Sequence, residues 1–334
     1  MSNKLLTITI PVYNTEEYLP KCLDSLIIDE YMDLLEVLIV IDGSPDNSLA
    51  IAQNYAQKYP ETFIVINKEN GGHSSAINKG LELATGKYFK LLDSDDWFDQ
   101  KTFKIFLEKL QGLDIDMVMT DYVVEYVSQK KQEFRKLEII EEREYYINEI
   151  DITKIDDFLA MHRIAYKTSL FREVNFKLPE KTFYTDVLYA HLPFFKTNHF
   201  IYYKLPLYRY YVGREGQSMN PANLIRNKTH MFLIFSSLYE NYILYKNNIN
   251  SNKKQYFLNF LDEYNSYIFN VLLKQSYVIA KQDIKQRIEY IKQEINEPKI
   301  YNSFRFCVIS KTPFWLLKIL VYTRNIIRKI KFAI

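Results

Sequence analysis

Cysteine is nearly absent: Cys22 and Cys307 are the only two among 334 residues, and their separation matches no metal-binding spacing. That excludes a disulfide framework and points to a reducing, cytosolic setting. Glycine is scarce, with 8 residues against 28 Tyr, which excludes a disordered or low-complexity chain. There is no internal repeat. No apolar run approaches the roughly 18–20 residues needed to span a bilayer. The first strand-like run begins at Leu5, so no signal peptide is expected. Acidic residues are missing from one region. Residues 301–334 carry seven Lys or Arg and no Asp or Glu, whereas the rest carries 36 basic and 41 acidic residues, a net of −5 hidden within the overall +2. Aromatic and aliphatic residues dominate that basic segment, so it does not read as nucleic-acid binding.

What is present is a strand–helix alternation. Leu5–Pro11, Glu36–Ile41 and Phe63–Ile66 read as buried strands, and Lys87–Leu92 as a fourth. Between them, Leu19, Cys22, Leu23, Leu26 and Ile27 form one apolar helix face, and Leu49, Ala52, Tyr55 and Ala56 another. This spacing predicts an α/β fold with a mostly parallel sheet flanked by helices. Its polar loops, Pro11–Asn14, Asp42–Asp46, Asn70–His73 and Asp93–Asp96, then converge on one crevice at the strand C-termini.

The fourth loop carries the most chemistry. Asp93, Asp95 and Asp96 crowd three carboxylates into four positions at a strand end. Such groups repel one another and lose hydration unless a cation or hydrogen-bond donors hold them. Mg²⁺ and Mn²⁺ take oxygen ligands and commonly bridge one or two carboxylates to substrate phosphates. A solvated turn capping the helix near Asp99 is the plain alternative.

The ordered set Ile10-Pro11-Val12-Tyr13-Asn14, Ile41-Asp42-Gly43-Ser44 with Asp46, Asn70-Gly71-Gly72 and Asp93-Ser94-Asp95-Asp96 resembles the family-2 inverting glycosyltransferases of the GT-A fold, of the bacterial surface or exopolysaccharide type. Phe176–Pro179 followed by Thr185-Asp186-Val187 resembles the stretch ending in the family's catalytic base, and Tyr208–Tyr211 with Arg214–Ser218 the loop that closes over the donor diphosphate. The resemblance implies a UDP-sugar donor, a divalent metal (Mn²⁺ or Mg²⁺) on Asp95 and Asp93, and Asp186 as base. It implies donor contacts from Pro11, Val12, Tyr13, Asn14, Asp42, Asn70, Gly71, Gly72, Asp93, Ser94, Arg214 and Ser218. In that scheme Asp42 accepts the uracil imide N–H, while Pro11 and Tyr13 flank the base. Two positions depart from the family pattern: Thr185 stands where Glu is common, and Ala76-Ile77-Asn78 replaces Ala-Arg-Asn. The lost Arg leaves Lys68, Lys90 and Arg214 as alternative cations. His73 follows the glycine loop and His162 precedes an expected strand; each is either a site residue or a structural histidine.

The expected organisation is a nucleotide-sugar-binding half over 1–120, an acceptor-side half over 121–218 and a helical region over 219–334. Helical patterns cover 221–246, 253–280 and 281–296. The basic end, with Phe314, Trp315, Leu316, Leu317, Ile319 and Leu320, matches a segment lying in a membrane interface, or else a helix packed on protein. The resulting expectation is a cytoplasmic enzyme, peripheral at the inner face of the membrane, with a glycan or lipid-linked glycan acceptor. A nucleotidyltransferase and a non-catalytic sugar-nucleotide-binding scaffold are the alternatives. The first lacks its usual glycine-rich phosphate loop here, and the second is kept alive by Thr185.

Overall fold

The computed structural model describes residues 4–213, 217 and 220–317. The chain forms two compact units, Met1–Glu215 with Asn247–Lys253, and Gly216–Lys246 with Lys254–Ile334.

The first unit is built on a ten-stranded sheet. β1 (Leu6–Val12), β2 (Leu35–Asp42), β3 (Phe63–Lys68) and β4 (Tyr88–Leu91) are parallel and lie in the order β3-β2-β1-β4. β1, β2 and β4 are buried along their whole length, as strands covered on both faces must be. β3 is the edge strand, so Ile64 is exposed although its apolar run reads as buried. The chain winds from β1 outward to β3 and then returns to β4 on the other side of β1. That reversal makes the β1/β4 junction the switch point, where a crevice opens beyond the strand C-termini. β1 continues to Val12, two residues past its last β4 partner at Thr9. Pro11, which has no N–H to donate, therefore sits where that side of the strand has no partner.

The rest of the sheet is mixed. β5 (Trp97–Phe98) pairs antiparallel with the long β10 (His199–Val212), and β10 runs parallel to β6 (Met117–Tyr126). β9 (Ile164–Lys167) runs antiparallel between β4 and β6, and β7 (Lys131–Arg135) and β8 (Glu144–Tyr146) add antiparallel edges. The runs Asp116–Thr120 and Tyr122–Val127, which read as two strands, are one. Asp121 between them is buried and accepts a 2.6 Å hydrogen bond from Tyr202 Oη, so the polar residue does not break the strand. The expected boundary at residue 120 thus falls inside β6.

Helices α1 (Leu19–Asp24), α2 (Ser48–Lys58), α3 (His73–Leu83) and α4 (Gln100–Leu110) follow the first strands, and α1 and α2 lie on the two apolar faces that periodicity predicts. α5 (Ser169–Glu173) follows β9, and α6 (Asp186–His191) precedes a single 3₁₀ turn at Pro193–Phe195. Pro193 has no N–H for the α-helical ladder, so α6 stops at His191.

The second unit is helical: α7 (Pro221–Arg226), α8 (Lys228–Tyr245), α9 (Ser251–Leu272, its first turn belonging to the first unit), α10 (Tyr277–Glu294), α11 (Pro298–Tyr301) and α12 (Phe304–Lys311). The break between the two long patterns lies at 273–276 rather than at 280/281, because Ala280 and Ile284 are buried on the same face of α10. Among the described residues no helix is long and apolar enough to cross a membrane.

Candidate active site

Asp42 ends β2 and organises the glycine loop. Its Oδ1 accepts from Gly71 N–H at 2.9 Å and its Oδ2 from Gly72 N–H at 2.7 Å, while Lys68 Nζ pairs with Oδ1 at 2.7 Å. Asn70 Nδ2 donates to the Asp42 carbonyl at 2.9 Å. An ionised carboxylate has about four lone-pair sites, and three protein donors already use this one. Lys68 is committed to the same carboxylate. Gly72 has φ +86°, and a Cβ there would lie 3.0 Å from Lys181 Cα, so only glycine fits between the loop and the 178–185 segment.

The β1 loop is tied to the β2 loop. Asn14, in the left-handed region at φ +53°, donates its N–H to Ser44 Oγ at 2.8 Å, and Asp46 accepts from Ser44 Oγ and Glu16 N–H. Burial of Asp46 works against its charge, yet these bonds and those from Ser48 hold its carboxyl below the usual range. Pro11 and Val12 are buried, whereas the Tyr13 ring is exposed beside the crevice.

The acidic loop separates into roles. Asp96 is buried; it accepts from Tyr208 Oη at 2.6 Å and Tyr211 N–H at 2.7 Å, which fastens the loop to β10. Burial and then the charges of Asp95 and Asp93 push its carboxyl well up, against those two donors. Asp93 and Asp95 are half-buried, and Asp93 Oδ1 lies 2.9 Å from His73 Nε2. Burial disfavours the His73 imidazolium, but the Asp93 bond and the charges of Asp93, Asp186 and Asp95 outweigh it, so His73 is raised from its ordinary value. The Ser94 hydroxyl is buried and accepts from Thr15 Oγ1 at 3.0 Å.

Asp186 opens α6 and senses the same cluster. Burial, followed by the Asp93 charge, raises its carboxyl, while His73 opposes the shift. A carboxylate made more basic in this way is suited to accepting a proton. Its position comes from the 178–185 segment, which is sewn to α3: Asn78 Nδ2 donates to Leu178 O at 2.9 Å, Leu178 N–H donates to Asn78 Oδ1 at 2.9 Å, Ser74 Oγ donates to Pro179 O at 2.7 Å, and Lys181 N–H donates to Gly71 O at 2.9 Å. Thr185 is buried, and its hydroxyl has no hydrogen-bond partner among the described residues.

Just before β9, His162 lies between rings: Tyr122 stacks at 4.9 Å, Tyr210 is tilted at 4.5 Å and Tyr208 meets it edge-on at 4.8 Å. Burial lowers its pKa to about 4, so it is neutral near pH 7. Lys90 is no donor contact. It is fully buried, donates to the carbonyls of His162 and Ile164 at 2.9 and 3.1 Å, and is lowered to about 7 by burial and by Arg163.

The structure thus brings the four β-strand loops, His73 and Asp186 to one sheet edge. Arg214 and Ser218 lie outside the described residues. The Asp96–Tyr208 clamp and the Asn78–Leu178 pair were not evident from sequence; for Asn78 the only signal was its place in the Ala76-Ile77-Asn78 triplet.

Among the described residues no three or more His, Cys, Asp or Glu form a metal-holding group. Asp93 and Asp95 nevertheless offer hard oxygen donors in a pair, which fits an ion that also takes oxygens from a diphosphate. The negative crowding that raises Asp96 and Asp186 is of the kind a cation offsets.

Known proteins resemble this chain in sequence and in fold. An uncharacterized glycosyltransferase of Mycoplasma pneumoniae, the MG025 homolog, is 33% identical over 221 residues, covering 64% of this chain and 70% of that protein. The structure of Staphylococcus aureus TarS 1-349 in complex with UDP-GlcNAc superposes with a TM-score of 0.57 at 17% identity, covering 92% of this chain and 90% of that one. The mannosyltransferase PcManGT from Pyrobaculum calidifontis, in complex with GDP-Man and Mn²⁺, gives a TM-score of 0.54 at 15% identity over 96% and 84%. The model of the family described as Glycosyl transferase family 2 matches residues 7–177, and with the GT-A architecture in place the chain belongs to that family.

Proposed function

We propose that this chain transfers a sugar from a UDP-sugar to a hydroxyl of a glycan or lipid-linked glycan, with inversion, in cell-surface polysaccharide synthesis. What supports the reading is that Asp186, its carboxyl raised by burial and by the Asp93 charge, lies within electrostatic reach of Asp93 and His73, just past the end of β4. Asp186 accepts the acceptor's hydroxyl proton. The freed oxygen attacks the anomeric carbon from the face opposite the diphosphate, and the bond to the diphosphate breaks with its electron pair leaving on that group. One displacement inverts the configuration. The UDP-GlcNAc and GDP-Man complexes of the two structural neighbours support a nucleotide-diphosphate donor.

Tyr13, Asn14, Asp42, Asn70, Gly71 and Gly72 line the nucleoside end in this reading, with Pro11 and Val12 beneath them and Ser94 supporting the acidic loop. Asp42 has about one lone pair left for a base N–H. Arg214 and Ser218 are assigned to the diphosphate by resemblance. Asp95 and Asp93 would hold Mn²⁺ or Mg²⁺, which, when bound, offsets negative charge on the leaving diphosphate.

The acid-free segment 301–334 supports a working position at an anionic cytoplasmic membrane, near a lipid-linked acceptor. Its residues 318–334 lie outside the described ones. The test is a panel of UDP-sugars scored for UDP release with Mn²⁺, with Mg²⁺ and with EDTA. Metal-stimulated release from one sugar is expected. Calorimetric binding with no turnover on any donor or acceptor would favour a sugar-nucleotide-binding scaffold, and no binding at all would refute the reading.

A further inference from the structure

α10 begins with three consecutive exposed apolar residues. Tyr277 is 48% exposed, Val278 73% and Ile279 49%, before the helix turns Ala280 and Ile284 inward. Three neighbours in sequence cover most of a helical turn, so they cannot all face one core, and a soluble surface ordinarily avoids such a run. The Tyr277 ring meets Phe314 edge-on at 4.8 Å, which brings the segment after α12 to the same place, where Trp315 is 57% exposed. Exposed Lys274 and Lys281 flank the run on its own stretch of chain, and exposed Lys311 precedes Phe314. The nearest acid on α10, Asp283, is engaged by Lys228 and Gln275. An apolar centre with an aromatic ring pair and a rim of exposed lysines suits an anionic bilayer surface.

We propose that Tyr277, Val278 and Ile279, with Phe314 and Trp315, form a patch that inserts into the headgroup region of an anionic membrane. The inference deepens the membrane reading given above and rests on it. It adds that a folded helix end, and not the basic tail alone, contacts lipid. Tyr277 and Trp315 sit at the headgroup level, where amphipathic rings are favoured. Val278 and Ile279 reach the acyl boundary, and the lysines meet lipid phosphates.

The test is flotation of the full chain with vesicles of phosphatidylglycerol and phosphatidylcholine. Wild type is compared with the Val278→Glu/Ile279→Glu double variant and with Leu244→Glu. Leu244, on α8, is 68% exposed and outside the patch, so its variant reports the cost of adding a charge anywhere on the surface. The double variant is expected to lose at least tenfold in partitioning, about 1.4 kcal/mol or more, with Leu244→Glu within twofold of wild type. Circular dichroism and UDP-sugar binding of all three are expected to be alike. Failure of wild type to float, equal flotation of the double variant, or an equal loss in Leu244→Glu each overturns the proposal. None of these readouts depends on sugar transfer, so loss of the catalytic reading would be seen separately in the UDP-release panel.

Discussion

Replacing Asn78 by Ala should separate the placement of the base from the binding of the donor. The side chain makes two hydrogen bonds of 2.9 Å to one residue, Leu178; with Ser74 on α3 and the Gly71 carbonyl in the loop before it, four ties hold the segment leading to Asp186. A net value of about 1 kcal/mol per bond gives roughly 2 kcal/mol for the pair. The remaining two ties keep the segment attached. A change of that size shifts the equilibrium between the seated and released segment by about 30-fold at most. We expect kcat to fall about 5- to 30-fold and donor affinity to stay within about twofold, since no Asn78 atom reaches the Asp42 cradle in the bonds described. Asn78→Asp keeps the acceptor for Leu178 N–H but cannot donate to Leu178 O, so it should fall between. Steady-state UDP release, calorimetry with the donor and a thermal melt on the same preparations provide the data. Unchanged turnover in Asn78→Ala, or lost donor affinity with turnover intact, would refute the positioning argument.

Three further outcomes follow from the same contacts. Asp95→Ala should nearly abolish transfer in a folded protein with no rescue by added Mn²⁺; wild-type-like activity in EDTA would contradict the metal assignment. Thr185→Val removes a buried hydroxyl that has no partner among the described residues, so stability should stay equal or rise by up to about 1 kcal/mol in denaturant titration. A clear loss would mean the hydroxyl is bonded. Lys90 is held at about 7 in the fold against its ordinary 10.5, so the folded state binds fewer protons than the unfolded state between those values and gains stability as pH rises through them. The stability of Lys90→Met relative to wild type should therefore be most favourable below pH 7 and decline towards pH 10, measured as paired melts.

The parallel half of the sheet, β1 to β4, was legible in the sequence because its information is local. A buried run, a turn and an amphipathic helix repeat three times, and parallel topology puts every loop at one edge. The mixed part of the sheet, from β5 to β10, was harder because its order comes from long-range pairing. Asp121 looks like a break until Tyr202, 81 residues on, bonds to it. Asp96 reads only as one of three crowded carboxylates until Tyr208 and Tyr211 are found on its oxygens. Lys90 reads as a free cation near the donor, yet the carbonyls that hold it lie beyond residue 160. Burial of a charged side chain depends on partners that no local window contains. The glycine loop shows the reverse: its Gly71-Gly72 pair was visible, but that Asp42 rather than a ligand holds both N–H groups was not.

The central claim is that Asp186 is the proton acceptor in a transfer from a UDP-sugar, and Asp186→Asn tests it most directly. The variant keeps size and shape and removes the basic oxygen. Transfer should fall by roughly 100-fold or more, with calorimetric affinity for the UDP-sugar unchanged. In the wild type the acidic limb of kcat should sit above the ordinary carboxylate range, because rate is lost as pH falls through the raised Asp186 pKa. Transfer retained in Asp186→Asn, or donor binding lost while turnover persists, would place Asp186 in the donor site or at the helix end and contradict the account.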